Sequence, residues 1–130
     1  MVVEGRQYLL THAAPLDFYL ASPMIRRDAR EFAVWHRFRG YEQGPEEQTV
    51  IFGHTCTQRY QAADPVRIWY GTRLIGIDCG AAYDEPRFAH RFMPQTRLAC
   101  LRLDDGAEFY SAEASEKTFA GEEEHDETAI

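Results

Sequence analysis

Two segments of this sequence end alike. Thr49-Val50-Ile51-Phe52-Gly53-His54-Thr55 is an apolar run closed by glycine and histidine, and Tyr8-Leu9-Leu10-Thr11-His12-Ala13-Ala14 is a second run closed by histidine. Short apolar runs read as buried strands. Such a strand delivers its last residue to the carboxyl edge of a sheet, where α/β proteins keep their chemistry. Two imidazoles at strand ends, each followed by small residues, can converge on one divalent ion, and neutral imidazole suits Mn, Fe or Zn. His12 and His54 are therefore read as metal ligands. The carboxylates that should share such a metal are missing. Asp78 and Asp84 are the only nearby acids in suitable loops, and neither stands at ligand spacing from the histidines.

The elements that must hold these residues follow from the spacing of apolar positions. Residues 6–11 read as a first strand, closed by His12 and a small-residue turn to Pro15. A helix is expected to start near Ser22-Pro23, where serine caps and proline suits the first turn. Ile25, Ala29, Phe32, Ala33 and His36 then recur at helical spacing, with Arg26, Arg27 and Arg30 on solvated faces. The pattern stops before Gly40, and a loop at 44–47 leads into the strand at 49–53. Residues 66–70 and 74–78 read as strands joined by a tight Gly71-Thr72 turn. The stretch 84–96 reads as a loop or lid. Residues 97–103 and 108–111 flank Asp104-Asp105-Gly106 as a second hairpin.

The chain has 130 residues, 45% of them hydrophobic and 13% aromatic, which suits one packed domain. No apolar run approaches the length that spans a bilayer and no leader opens the chain, so a cytoplasmic protein is expected. Cys56, Cys79 and Cys100 are odd in number and form no C-x-x-C pair, which argues against a disulfide framework or a zinc knuckle. Residues 113–130 hold seven acids against Lys117 alone, −6 of the net −7, and read as a solvated, disordered tail. The basic residues are not interleaved with aromatics, so no nucleic-acid partner is expected. Trp35 and Trp69 read as core or half-core, and His36, His90 and His125 as surface or loop residues.

Gly53-His54-Thr55 after an apolar strand, then Ile77-Asp78-Cys79-Gly80-Ala81-Ala82-Tyr83, then Leu98 to Gly106, resembles the C-terminal part of the calcineurin-like metallophosphoesterases. The bacterial serine/threonine protein phosphatase and diadenosine tetraphosphatase branch is the most similar. That family runs through a strand-end histidine, a tryptophan-arginine segment, a G-H-T-P turn, an I-D-T-G-A strand and a closing hairpin. His12, Trp35 to Arg37, Gly53 to Cys56, Ile77 to Ala81 and residues 97–111 stand in that order. The resemblance implies that His12 and His54 ligate one of two metals and that Arg37 grips the substrate phosphate. It implies, more loosely, that Tyr83 lies by the site. Arginine's planar fork matches two phosphate oxygens at once.

The departures are equally plain. The family's motifs G-D-x-H-G, G-D-x-x-D-R-G and G-N-H-E supply every bridging carboxylate, a second arginine and the general-acid histidine, and none occurs here. Ala14 stands where glycine is usual, Cys56 where proline is usual and Cys79 where threonine is usual. The expectation is an α/β fold in residues 1–112: one half of a metallophosphoesterase-like sandwich, a mixed and mainly antiparallel sheet with helices on one side. The expected function is metal-dependent phosphoester hydrolysis, on a phosphorylated protein or small phosphoester, by a part inactive alone. The competing expectation is a non-catalytic interaction module. A half-sandwich leaves an apolar sheet face bare, so a homo-oligomer, or association with the missing N-terminal half, is also expected. Cys56 and Cys79, at neighbouring strand ends, are read as small buried thiols, with a redox-sensitive pair as the alternative.

Overall fold

The computed structural model describes residues 1–21, 28–83 and 94–111. Its centre is a five-stranded sheet in the order β1-β2-β3-β5-β4. The strands are β1 (Val2–Val3), β2 (Arg6–Thr11), β3 (Thr49–Phe52), β4 (Trp69–Tyr70) and β5 (Leu74–Gly76). The inner three, β2, β3 and β5, run parallel, and the short outer strands β1 and β4 pair antiparallel. A hairpin of β6 (Ala99–Leu101) and β7 (Glu108–Tyr110) forms a second, two-stranded sheet. Three of the five pairings are antiparallel, so the fold is α/β with a mixed sheet, while its core triplet is parallel. Among the described residues no helix is long and apolar enough to cross a membrane.

Strand register explains the core. Leu9, Val50 and Leu74 align across the parallel triplet, as do Thr11, Phe52 and Gly76, and residues so aligned share a face. Two helices lie in the crossover between β2 and β3: α1 (Leu16–Leu20) and α2 (Ala29–Trp35). Their Phe18, Tyr19 and Phe32 join Leu9, Val50, Phe52 and Leu74 in one cluster, which places both helices on one side. Phe52 is its hub, with ring centroids 4.7 Å from Phe38, 5.9 Å from Tyr60 and 6.3 Å from Trp69, all edge-to-face. A second cluster of Val66, Ile68 and Cys79 takes Ile75 from the other face, with Leu101 and Tyr110 of the hairpin. The expected bare face is thus covered at β5 and open at Leu10 and Tyr70, which are 58% and 51% exposed.

The helical region differs from expectation. Helix α2 begins at Ala29, where the Asp28 carboxylate accepts from the Glu31 N–H at 2.8 Å, a side-chain cap three residues ahead. The expected Ser22-Pro23 start lies outside the described residues, and α1 occupies a stretch that carried no periodic signal. The first hairpin is also shifted. The Gly71 N–H bonds the Leu74 carbonyl at 2.8 Å, so Thr72-Arg73 form the turn and Gly71 ends the strand ladder. Arg73 takes the left-handed turn position at φ 55° and is held there by its Nε, which bonds the Gly44 and Pro45 carbonyls at 2.9 Å. Of the expected strand at 66–70, only Trp69 and Tyr70 pair in a ladder. The expected lid at 84–96 lies mostly outside the described residues, as does the tail.

Phe52→Ala should cost about 3–5 kcal/mol, read from denaturant midpoints, because its ring fills the junction of three aromatics. A loss below about 1 kcal/mol would show that β3 does not anchor the core.

Candidate functional site

Both histidines reach the same sheet edge because β2 and β3 are parallel neighbours. Thr11 is in register with Phe52, and one step on the Gly53 N–H donates to the His12 carbonyl at 3.0 Å. The backbone then turns sharply. The Thr55 N–H bonds the Gly53 carbonyl at 2.7 Å, closing a three-residue turn around His54, whose φ is 65°. A non-glycine residue in that region is uncommon and costs about 1–3 kcal/mol unless its surroundings hold it. Thr55 and Thr57 supply the hold. Both are buried, and the Thr57 hydroxyl donates to the Arg67 carbonyl at 2.8 Å.

The turn lays the His54 ring against His12, with centroids 5.0 Å apart and planes tilted by 51°. His12 is exposed and His54 half-buried. Trp35, the last residue of α2, sets its indole edge against His54 at 5.5 Å and 82°. The Trp35 backbone also lies near enough to act on the imidazole. The His54 Nε2 is enclosed and has no hydrogen-bond partner. Trp35 is 59% exposed, which corrects the core reading: its edge lines the site and its outer face meets solvent. Trp69 is buried as expected. His36, read as a surface or loop residue, is the half-buried C-cap just after α2 and stacks on Phe32 at 4.2 Å.

Burial, first, holds the His54 imidazole below its ordinary value of 6.5. The Arg37 charge and His12 add to this, while the Trp35 backbone and Asp78 pull the other way. Arg37 therefore stands near enough to act on His54, and it is exposed to solvent. It also bears on Tyr60, whose buried hydroxyl has no well-formed hydrogen bond. Asp78 follows β5, and one of its carboxylate oxygens accepts from the Gly80 N–H at 2.9 Å. Tyr83 ends the 3-10 turn Ala81–Tyr83. Asp84 lies outside the described residues. Among the described residues, no group of three or more His, Cys, Asp or Glu side chains converges as a metal site.

The chemistry on offer is that of a pair. A histidine that burial keeps neutral, with a ring nitrogen left without a partner, has the donor chemistry of a metal ligand. Two imidazole donors fall short of the three or four that hold zinc firmly. The cysteines add none. Cys56 and Cys79 sit in the second cluster, and burial pushes both thiols up, which keeps them protonated packing groups. Trp35 was missed as a site residue because nothing in its neighbours signals an exposed ring at a helix end.

Since the fold lowers the His54 pKa, the unfolded chain binds that proton more tightly. His54 thus adds stability above pH 6.5, and this is lost as pH falls through that value toward the folded one. An NMR titration should place its midpoint below 6.5, and Arg37→Ala should raise it part of the way. A midpoint at or above 6.5 would remove the account of a neutral, ligand-ready ring. Comparison with protein-family models, curated proteins and solved structures found no match, which leaves the geometry to carry the functional reading.

Proposed function

We propose that this chain carries half of the metal site of a phosphoester hydrolase of the serine/threonine protein phosphatase type. The observation that supports it is the His12–His54 pair, with rings at 5.0 Å and one buried imidazole nitrogen left bare. The donor chemistry fits a divalent Mn, Fe or Zn ion, and the donor count does not complete the site. The remaining ligands, carboxylates above all, would come from another segment or another chain. On this reading the isolated chain hydrolyses nothing, and its association with that second half restores the site.

When bound, the metal supplies Lewis-acid polarisation of a phosphoryl oxygen. The rest falls to the chain's own groups. His12 and His54 hold the ion. Arg37, exposed beside them, binds two non-bridging phosphate oxygens through its fork, and its charge keeps His54 neutral. The Trp35 edge shields one side of the His54 ring from water. Tyr83 remains a substrate contact on the resemblance alone. The substrate is a phosphorylated protein or a small phosphoester.

One observation favours a second reading, an interaction module without catalysis. The Trp35 edge packs on His54 and its Nε2 is closed to solvent, which is also how a histidine braces a helix against a sheet.

Two assays on the purified chain separate the readings. With excess Mn²⁺ and an aryl phosphate, neither the chain nor His54→Ala should turn over substrate. Calorimetric Mn²⁺ binding should be weak and fall by about tenfold or more in His54→Ala. Equal Mn²⁺ binding by both proteins would leave the interaction module. Turnover by the native chain that His54→Ala abolishes would show a complete site and overturn the half-site claim.

A further inference from the structure

A cavity of about 440 Å³ opens where residues 62–67 meet the β6–β7 hairpin, and charged side chains dominate its wall: Asp64, Arg67, Arg97 and Glu108, with Tyr110 beside them. Its arginine is braced. The Arg97 Nε donates to the Val66 carbonyl at 2.7 Å, and its guanidinium carbon lies 3.6 Å from the centre of the Tyr110 ring. Tyr110 is fixed in turn. Its hydroxyl accepts from the Ile68 N–H at 3.1 Å and donates to a Glu108 carboxylate oxygen at 3.0 Å. The other Glu108 oxygen accepts from the Tyr70 hydroxyl at 2.7 Å.

The two signs of charge are not equally committed. Both Glu108 oxygens take a tyrosine hydroxyl, and the Asp64 carboxylate takes the Gln95 N–H at 2.9 Å. Arg97 has spent only its Nε and one face, and Arg67 is exposed. Among the described residues neither arginine stands in a salt bridge. The groups left unspent in this cavity are N–H donors on positive charge, one set of them already immobilised. An immobilised fork binds with less ordering cost than a free one.

We propose that this cavity is an oxyanion-binding site, separate from the candidate metal centre. A carboxylate or phosphate group docks on the terminal nitrogens of Arg97, and Arg67 closes over it. Both anions match a planar guanidinium in bidentate fashion. Such a site would hold the charged end of a larger ligand, while Glu108 weakens binding by like charge and thereby limits it.

The test uses the full chain carrying Arg37→Ala, so that the phosphate-gripping arginine of the metal centre is silent. Inorganic phosphate and acetate are titrated separately at about 0.15 M salt, where screening suppresses loose surface binding. Heat of binding and the arginine side-chain ¹⁵N signals are the readouts. Saturable binding of at least one anion is expected. Arg97→Lys should weaken it by about tenfold. Glu108→Gln, which keeps an acceptor for tyrosine and removes a negative charge, should tighten it by about threefold or more. Tighter phosphate than acetate would assign a phosphate-bearing ligand, and the reverse a carboxylate. Should Arg97→Lys unfold on a thermal melt, Glu108→Gln alone decides. Saturation by neither anion, or affinities unmoved by the substitutions that fold, would overturn the proposal.

Discussion

The parallel pairing of β2 with β3 is the constraint on which the molecule depends. Four consecutive residues of each strand stand in register, from Tyr8 with Thr49 to Thr11 with Phe52, and the Gly53 N–H extends the ladder to His12. A slip of one residue would turn Val50 and Phe52 away from the helices and separate the two imidazoles at the sheet edge. The same register therefore specifies the core and the site. A parallel pair needs a crossover, and the crossover is what places α1 and α2 over the sheet and brings Trp35 to His54.

Packing and electrostatics reinforce each other at that edge. The aromatic junction at Phe52 secures the end of β3, one residue before the turn that strains His54 into the left-handed region. Enclosure by Trp35 and the positive charge of Arg37 both favour the neutral imidazole, so the environment that buries the ring also leaves its lone pair unprotonated. The two influences that favour a positively charged His54, the Trp35 backbone and Asp78, are smaller than those of burial, Arg37 and His12. A buried ring stripped of its proton suits metal binding more than acid–base exchange.

Much of this was readable in the residues. The runs ending in His12 and His54 declared two strands and a shared edge, while the parallel direction of the inner strands was not part of the expected, mainly antiparallel sheet. The β6–β7 hairpin followed from Asp104-Asp105-Gly106, where Gly106 has φ 74° and Arg102 pairs with Asp105. Other features lay beyond sequence pattern. The start of α2 depends on one Asp28 carboxylate, a signal that the Ser22-Pro23 pair outweighed by composition. The turn at Thr72-Arg73 is set by a clamp from Arg73 to the carbonyls of residues 44 and 45, 29 and 28 positions away. The sharing of Glu108 by Tyr70 and Tyr110 joins residues up to 38 positions apart, and no local rule announces it. The site was legible as far as strand ends could show it; the placement of Trp35 and the bare Nε2 are products of tertiary packing.

The central claim is that His12 and His54 together face one ion. Long-range ¹H–¹⁵N spectra of the imidazoles during Mn²⁺ addition test it most directly, since paramagnetic broadening falls steeply with distance. The account predicts that His12 and His54 broaden together at the lowest metal ratios, ahead of His36. Broadening of one without the other, or broadening first at a histidine elsewhere in the chain, would contradict it.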